Sequence, residues 1–383
     1  MLQATVLGKQ VYDITGRELD IGLLGLAEFL PAALLVLVTG SMADRFNRKI
    51  IGSIAIAGEL LCSVLLGLYA LSDPTAVWPL FVIAVLFGTF RAFAAPSVRS
   101  LPPMVAPDGA LPRTIALYSA TWTSAAIIGP ASGGLIYASS PALAYFVSAV
   151  LIGAGVAFLL AVKIARPFLK DQPKDPAEKV SLHTALAGLR FIRKTPILLA
   201  AISLDLFAVL FGGAVALLPA IAEDRLHVGD VAYGWLRAAP GIGAAIMAVI
   251  LASRPVTRRV GRTLLFVVGL FGIATVVLGV TTSYFVAFVA LVILAGADMI
   301  SVYIRGTLVP LVTPDDKRGR VMAVENVFIG ASNELGAFES GVAAQAFGTQ
   351  TAVIGGGIAT LGVVAMYSIF FPTLRNVDRF EDL

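Results

Sequence analysis

An all-α membrane protein with duplicated halves is the fold class this sequence predicts, and three observations predict it. Of its 383 residues 58% are hydrophobic and 14% charged, where a soluble domain carries about 25% charged residues; mean hydropathy is +0.90. Apolar stretches of about 20 residues, the length that crosses a bilayer as a helix, recur along the chain. The second half also repeats the first at a constant offset of 207 residues (308 − 101).

Eleven crossings are expected, at roughly 20–43, 50–71, 77–100, 114–138, 142–164, 196–221, 231–253, 263–282, 284–309, 319–347 and 350–372. Residues 1–15 are apolar too, but at about 1.5 Å per residue they fall short of a core about 30 Å thick, and they include Lys9. No small-residue cleavage site follows them, so a signal peptide is not expected. Their character suits the last turns of a first helix that begins before Met1.

Lysine and arginine set the expected orientation. Arg45, Arg48 and Lys49 share one connection, and Arg99 and Arg113 flank the next on that side. The 163–195 connection holds Lys163, Arg166, Lys170, Lys174, Lys179, Arg190, Arg193 and Lys194. Arg254, Arg258, Arg259 and Arg262 follow, then Lys317, Arg318 and Arg320, then Arg375 and Arg379. These are 22 of the 28 basic residues, all on one side of the expected topology. Opposite connections hold little beyond Arg17 and Arg225. The basic side is read as cytoplasmic, with the long central loop and the C-terminus on it, in a multi-pass protein of the cytoplasmic membrane. The net charge of +4 is explained by the bilayer as partner and calls for no nucleic acid.

Several chemistries are not expected. Cys62 is the one cysteine and lies in an apolar run, which leaves neither a disulfide framework nor a cysteine metal site. The two histidines, His183 and His227, fall in polar connections. No G-x-x-x-x-G-K-[ST] occurs, and Gly241-Ile242-Gly243 sits inside an apolar helix rather than after a strand. No enzyme signature, metal site or cofactor is therefore expected.

The repeat is specific. Leu101-Pro102-Pro103-Met104-Val105-Ala106-Pro107-Asp108 matches Leu308-Val309-Pro310-Leu311-Val312-Thr313-Pro314-Asp315, and Arg113, Ala116, Gly129 and Gly134 fall on Arg320, Ala323, Gly336 and Gly341. Residues 1–164 and 196–383 are expected to be the two bundles. The 165–195 connection, with Pro167, Pro173 and Pro176, is the linker. Its end, Ser181–Lys194, aligns Leu182, Leu186 and Leu189 on one face, which predicts a helix lying on the inner membrane surface.

Within 114–138 stands Gly129-Pro130-Ala131-Ser132-Gly133-Gly134. Pro130 can bend a helix, and Gly129 and Gly133, four apart, form a face that admits another backbone. A packing motif alone is one reading of it.

The residues also resemble a known family, the major facilitator superfamily. Gly40-Ser41-Met42-Ala43-Asp44-Arg45-Phe46-Asn47-Arg48-Lys49 is similar to the signature between its second and third helices, with Asn47 where glycine is usual, a change expected to weaken the turn. Gly129, Pro130, Gly133 and Gly134 resemble the motif of its antiporters. Arg91 resembles an arginine of its drug exporters. Asp205-Leu206-Phe207-Ala208, Ser332-Asn333-Glu334-Leu335-Gly336 and Phe338-Glu339-Ser340-Gly341 resemble the enterobactin-exporter-like branch. The resemblance implies two six-helix bundles around a central cavity walled by the first, fourth, seventh and tenth helices. It also implies that Gly40, Asp44, Arg45 and Arg48 latch the halves, the aspartate gaining from a helix N-terminus. The corresponding connection Arg254–Arg262 has no acid, so only the first latch is expected to be complete.

Ionisable residues inside spans are costly and face a cavity or one another. Arg91, Asp205 and Asp298 fall on the implied cavity helices, and Arg91 and Asp298 are repeat equivalents. They are expected to form a coupling charge system or, alternatively, a structural ion pair. Glu28 is a candidate proton carrier, with a hydrogen-bonded structural role as the alternative, and Glu59 is read as structural. On 319–347, Glu325 and Glu339 share one face and Glu334 points nearly opposite at 100° per residue. Ser332, Gly336, Ser340, Ala344 and Gly348 make a small-residue row there for close packing. The resemblance implies a secondary exporter of an amphipathic small molecule, siderophore-like or drug-like, driven by protons. A same-fold importer and a transport-incompetent sensor or scaffold are the alternatives.

Overall fold

A computed structural model of the chain describes residues 1–45, 47–107, 109–162 and 182–382. Among these residues there is no β-strand. The helices are α1 (Leu2–Thr15), α2 (Glu18–Arg45), α3 (Arg48–Ala70), α4 (Trp78–Arg99), α5 (Pro102–Val105), α6 (Leu111–Tyr137), α7 (Pro141–Ala161), α8 (Leu182–Lys194), α9 (Pro196–Phe211), α10 (Leu218–Ala220), α11 (Asp230–Ser253), α12 (Val260–Val280), α13 (Tyr284–Val312), α14 (Asp315–Phe347), α15 (Thr349–Phe370) and α16 (Pro372–Arg375). By length and composition α3, α4, α7, the stretch Pro196–Arg225, α11, α12, α13 and α15 can each cross a membrane. Helices α2, α6 and α14, of 28, 27 and 33 residues, have the length as well.

Local chemistry sets the helix ends. Gly16 at φ 59 closes α1 in the left-handed region that glycine enters freely. Asn47 does not loosen its turn: its φ is −64 and its side chain accepts from the Lys49 amide at 3.0 Å, capping α3. Ser140 caps α7 in the same way. Lys49 Nζ donates to the carbonyls of Leu160 at 2.7 Å and Val162 at 2.8 Å. Arg225 donates to the carbonyls of Gly279, Val280 and Thr281. Both cations thus sit at helix C-termini, where the dipole favours them.

Two compact units result. The first comprises Met1–Gly16 and Leu24–Val180, the second Arg17–Leu23 and Ser181–Leu383. In the first, α3 packs on α4 and α7, and α1 on α6 and α7, around Leu7, Leu66, Leu80 and Tyr145, all fully buried. In the second, α12 packs on α13 and α15, α11 on α13, and α14 on α8 and α9.

One expectation is corrected here. The 196–221 stretch is not one helix: α9 stops at Phe211, and a 3-10 turn, α10 and a π turn follow to Arg225. The break falls at Gly212-Gly213, where a Cβ on Gly213 would overlap the Gly336 carbonyl and lie 2.6 Å from Ser340 Oγ. The small-residue row of α14 is what comes so close. On its protein-facing side α8 packs within its unit: Ile192 is buried in the core, and Lys317 of α14 stands over the Phe191 ring at 4.7 Å.

Candidate functional site

The α13 sequence places Asp298, Ser301 and Arg305 at three- and four-residue spacings, and so on one helix face. That face meets α9 and α14 within the second unit. Arg305 Nη2 lies 2.7 Å from Asp205 Oδ1 of α9, and Arg305 Nη1 lies 3.9 Å from Glu325 Oε1 of α14. Arg305 Nε donates to Ser301 Oγ at 3.3 Å. Arg305, Asp205 and Glu325 are 3%, 4% and 5% exposed, a depth at which neither sign of charge is tolerated alone. Asp298, Asp205 and Ser301 line one cavity with Val267, Val268 and Phe271, holding about 10 Å³, the room of about one water.

Arg305 was missed in the sequence. It falls on Val98 in the first half (305 − 207), so the repeat offered no ionisable partner to flag it. Asp205 pairs with Arg305, while Arg91 Nη1 lies 3.8 Å from Glu28 Oε2 in the first unit. Gly88, one turn before Arg91, sits where a Cβ would overlap the Glu28 carbonyl, so α4 and α2 touch backbone to backbone beside the pair. Glu59 of α3 is within electrostatic reach of Arg91.

A polar seam on α1 was missed as well. Lys9 pairs with Asp13, and Tyr137 of α6 donates to Asp13 Oδ2 at 2.5 Å. Tyr145 of α7 donates to Gln10 Oε1 at 2.7 Å, and Ser63 of α3 donates to Gln3. Polar residues three and four apart in an apolar stretch were the available signal.

The other expected residues are placed as follows. Glu339 is hydrogen-bonded to Ser340 rather than paired with Arg305, and Glu334 is half-buried. Gly40, Asp44 and Arg45 lie on the last turns of α2, but their side chains, like Phe46, are outside the described residues; Arg48 opens α3, half-buried. Gly129 and Gly133 face α1. A Cβ on Gly129 would lie 2.7 Å from Met1 Cβ and 3.1 Å from the Leu2 amide nitrogen, and one on Gly133 would lie 3.4 Å from the Leu2 carbonyl. Pro130 is inside α6, and both it and Gly134 are buried. On the Arg254–Arg262 connection the Arg259 amide donates to Asp378 Oδ1 at 3.3 Å.

The sequence profile of the Major Facilitator Superfamily matches residues 5–303 and 216–381. The chain belongs to the Major Facilitator Superfamily. Among relatives of this superfamily member, the uncharacterized MFS-type transporter YfiS of Bacillus subtilis is 28% identical over 91% of this chain and 84% of its own. The multidrug efflux pump Tap of Mycolicibacterium fortuitum is 27% identical over 95% and 90%. The crystal structure of the nucleoside transporter NupG shares the fold, with TM-score 0.73, 11% identity and 98% and 97% coverage. The superfamily and these relatives are transporters, not enzymes. Among the described residues no cluster of three or more His, Cys, Asp or Glu could hold a metal ion.

Proposed function

We propose that this Major Facilitator transporter is a proton-coupled exporter of amphipathic small molecules across the cytoplasmic membrane, working by alternating access. The observation that carries the coupling is the Arg305 cluster. One guanidinium faces Asp205 and Glu325, and Asp298 lines the same small cavity as Asp205. Charge balance in so poorly solvated a place calls for protons on the surplus carboxylates. Moving a proton onto Asp205 frees Arg305 to turn wholly to Glu325, and its loss draws Arg305 back. The protein thus has two arrangements of one ion network that differ by a proton, which is what coupling requires.

Export is supported by what relatives are named for: multidrug efflux in Tap, and macrolide efflux in a Streptococcus pyogenes protein 26% identical over 46% of this chain. Drug-like and siderophore-like substrates share the amphipathic character intended here. Glu28 and Arg91 are the substrate-facing or proton-sensing pair of the first unit in this reading, and Glu339 is a further carboxylate on the path. Gly129, Pro130, Gly133 and Gly134 form the antiporter element, acting through the packing of α6 on α1. Gly40, Asp44, Arg45 and Arg48 form the latch. Residues 1–164 and 196–383 are the two moving bundles, joined by 165–195.

The test is uptake of a fluorescent cationic drug into inside-out proteoliposomes under an imposed proton gradient. Wild-type protein is expected to accumulate the drug only while the gradient lasts. Asp205→Asn and Glu325→Gln should each abolish gradient-driven accumulation while leaving drug binding to the purified protein intact. Accumulation indifferent to the gradient, or as large in both variants as in wild type, would end the proton-coupled reading. Accumulation of the opposite sense would make the protein an importer.

A further inference from the structure

The start of α12 and the segment after α15 form a second site unrelated to the Arg305 cluster. A cavity of about 320 Å³ is lined there by Arg259, Arg262, Arg375, Asn376, Val377 and Asp378. Its walls are fixed by backbone bonds: Val260 N donates to the Asp378 carbonyl at 3.2 Å and Gly261 N to the Val377 carbonyl at 3.0 Å. Gly261 lies so close to Leu374 that a Cβ would overlap its carbonyl. The amides of Val260 and Gly261 are therefore spoken for, and the guanidiniums are the main donors left to an anion in the cavity. Asp378 is the one acid lining it. One of its oxygens accepts from the Arg259 amide, and the other lies 3.8 Å from Arg379 Nε. Among the described residues, no acidic side chain pairs with the guanidinium of Arg259, Arg262 or Arg375. Arg375 gives one bond to the Ser368 carbonyl at 3.0 Å, leaving most of its donors open.

Position decides what anion fits. Two membrane-crossing helices end at this cavity, α12 at Val260 and α15 at Phe370, so it lies at the depth of lipid headgroups. Just inside it the surface turns apolar. Phe266, one turn below Arg262 on the same face, is 70% exposed, and Ile369 and Phe370 are 69% and 71% exposed. Three guanidiniums above a greasy strip match an amphiphile with a phosphate head and an acyl tail, since guanidinium forks suit phosphate oxygens. We propose that this pocket binds the phosphate of an anionic membrane lipid, with the acyl chains lying along Phe266, Ile369 and Phe370. The proposal does not depend on the direction or coupling of transport.

The full-length protein, purified in detergent, is offered phosphatidylglycerol and phosphatidylcholine together, and retained lipid is counted by native mass spectrometry. Wild-type protein should keep phosphatidylglycerol in preference. Arg262→Gln and Arg375→Gln should each lower its retention about fivefold, the effect of one basic residue at an anionic surface. Arg254→Gln, on the same connection but outside the cavity, should leave retention unchanged. Arg262→Lys keeps the charge and reports on the site if a glutamine variant does not fold. In a parallel thermal-unfolding series, phosphatidylglycerol should raise the midpoint of wild type more than inorganic phosphate does. Equal retention in wild type, Arg262→Gln and Arg375→Gln would overturn the proposal. Stabilisation by inorganic phosphate equal to that by the lipid would also overturn it, by assigning the pocket to a free anion.

Discussion

Arg305 shows how much one side chain can decide in a membrane interior. It holds Asp205 and reaches Glu325, and all three are almost wholly buried. Replacing Arg305 with glutamine strands two carboxylates without a cation, a defect that costs about 3–5 kcal/mol in buried pairs. Arg305→Gln should therefore lower the thermal-unfolding midpoint in detergent, and adding Asp205→Asn should recover part of the loss. A single variant as stable as wild type would show that water, not Asp205, balances the guanidinium. Most of the charges inside the spans were legible in the sequence, because an ionisable residue in an apolar run is visible by itself; Arg305, read only as part of the run 284–309, was not. Who pairs with whom was not legible either, since pairing depends on helix rotation and depth. That Arg305 holds Asp205 and that Arg91 meets Glu28 are pairings the sequence did not show.

At the level of helices, close approach is bought with missing side chains, and the two halves do it differently. In the first unit Gly88 of α4 lies against the Glu28 carbonyl of α2. In the second, Gly243 of α11 lies against the Val292 carbonyl of α13. These helix pairs correspond under the 207-residue repeat, but the glycine has moved to the opposite partner. The backbone contact is thus retained where the residue that permits it is not. A carbonyl within an α-helix cannot step aside, so Gly243→Ala should destabilise by about 1–3 kcal/mol through overpacking. Gly306, also on α13, has nothing within 4 Å of where its Cβ would stand. Gly306→Ala should raise stability by about 0.5–1 kcal/mol through helix propensity alone. Thermal unfolding of the two variants beside wild type checks both signs at once. Helix positions were readable from apolar length, and α11 and α12 begin within three residues of the expected starts. The break after Phe211 was not read, although Gly212-Gly213 announced it, because only the facing Gly336 and Ser340 show why the helix must stop there.

For the molecule as a whole, the family and the duplication were written in the sequence as motifs and a fixed offset, while sidedness rests on charge alone. The structure adds that some of those charges have local work: Lys49 caps α7 and Arg225 caps α12. Arg225, one of the few basic residues on the sparse side, is thus tied to helix carbonyls instead of meeting the membrane surface as a free cation. Removing it from the count sharpens the asymmetry. If the rich side is cytoplasmic, the connection after α3 is external and the connection after α11 is internal. Ser72 and Arg254 are exposed residues on those two connections, and Cys62, the sole cysteine, is buried. In a Cys62→Ala background, Ser72→Cys should react with a membrane-impermeant thiol reagent added to intact cells, and Arg254→Cys should react only after permeabilisation. Because Ser72 lies in the first unit and Arg254 in the second, the two sites test each half's orientation independently. Labelling of Arg254→Cys in intact cells would invert the second half, and would put the Arg259–Asp378 pocket on the outer side with it.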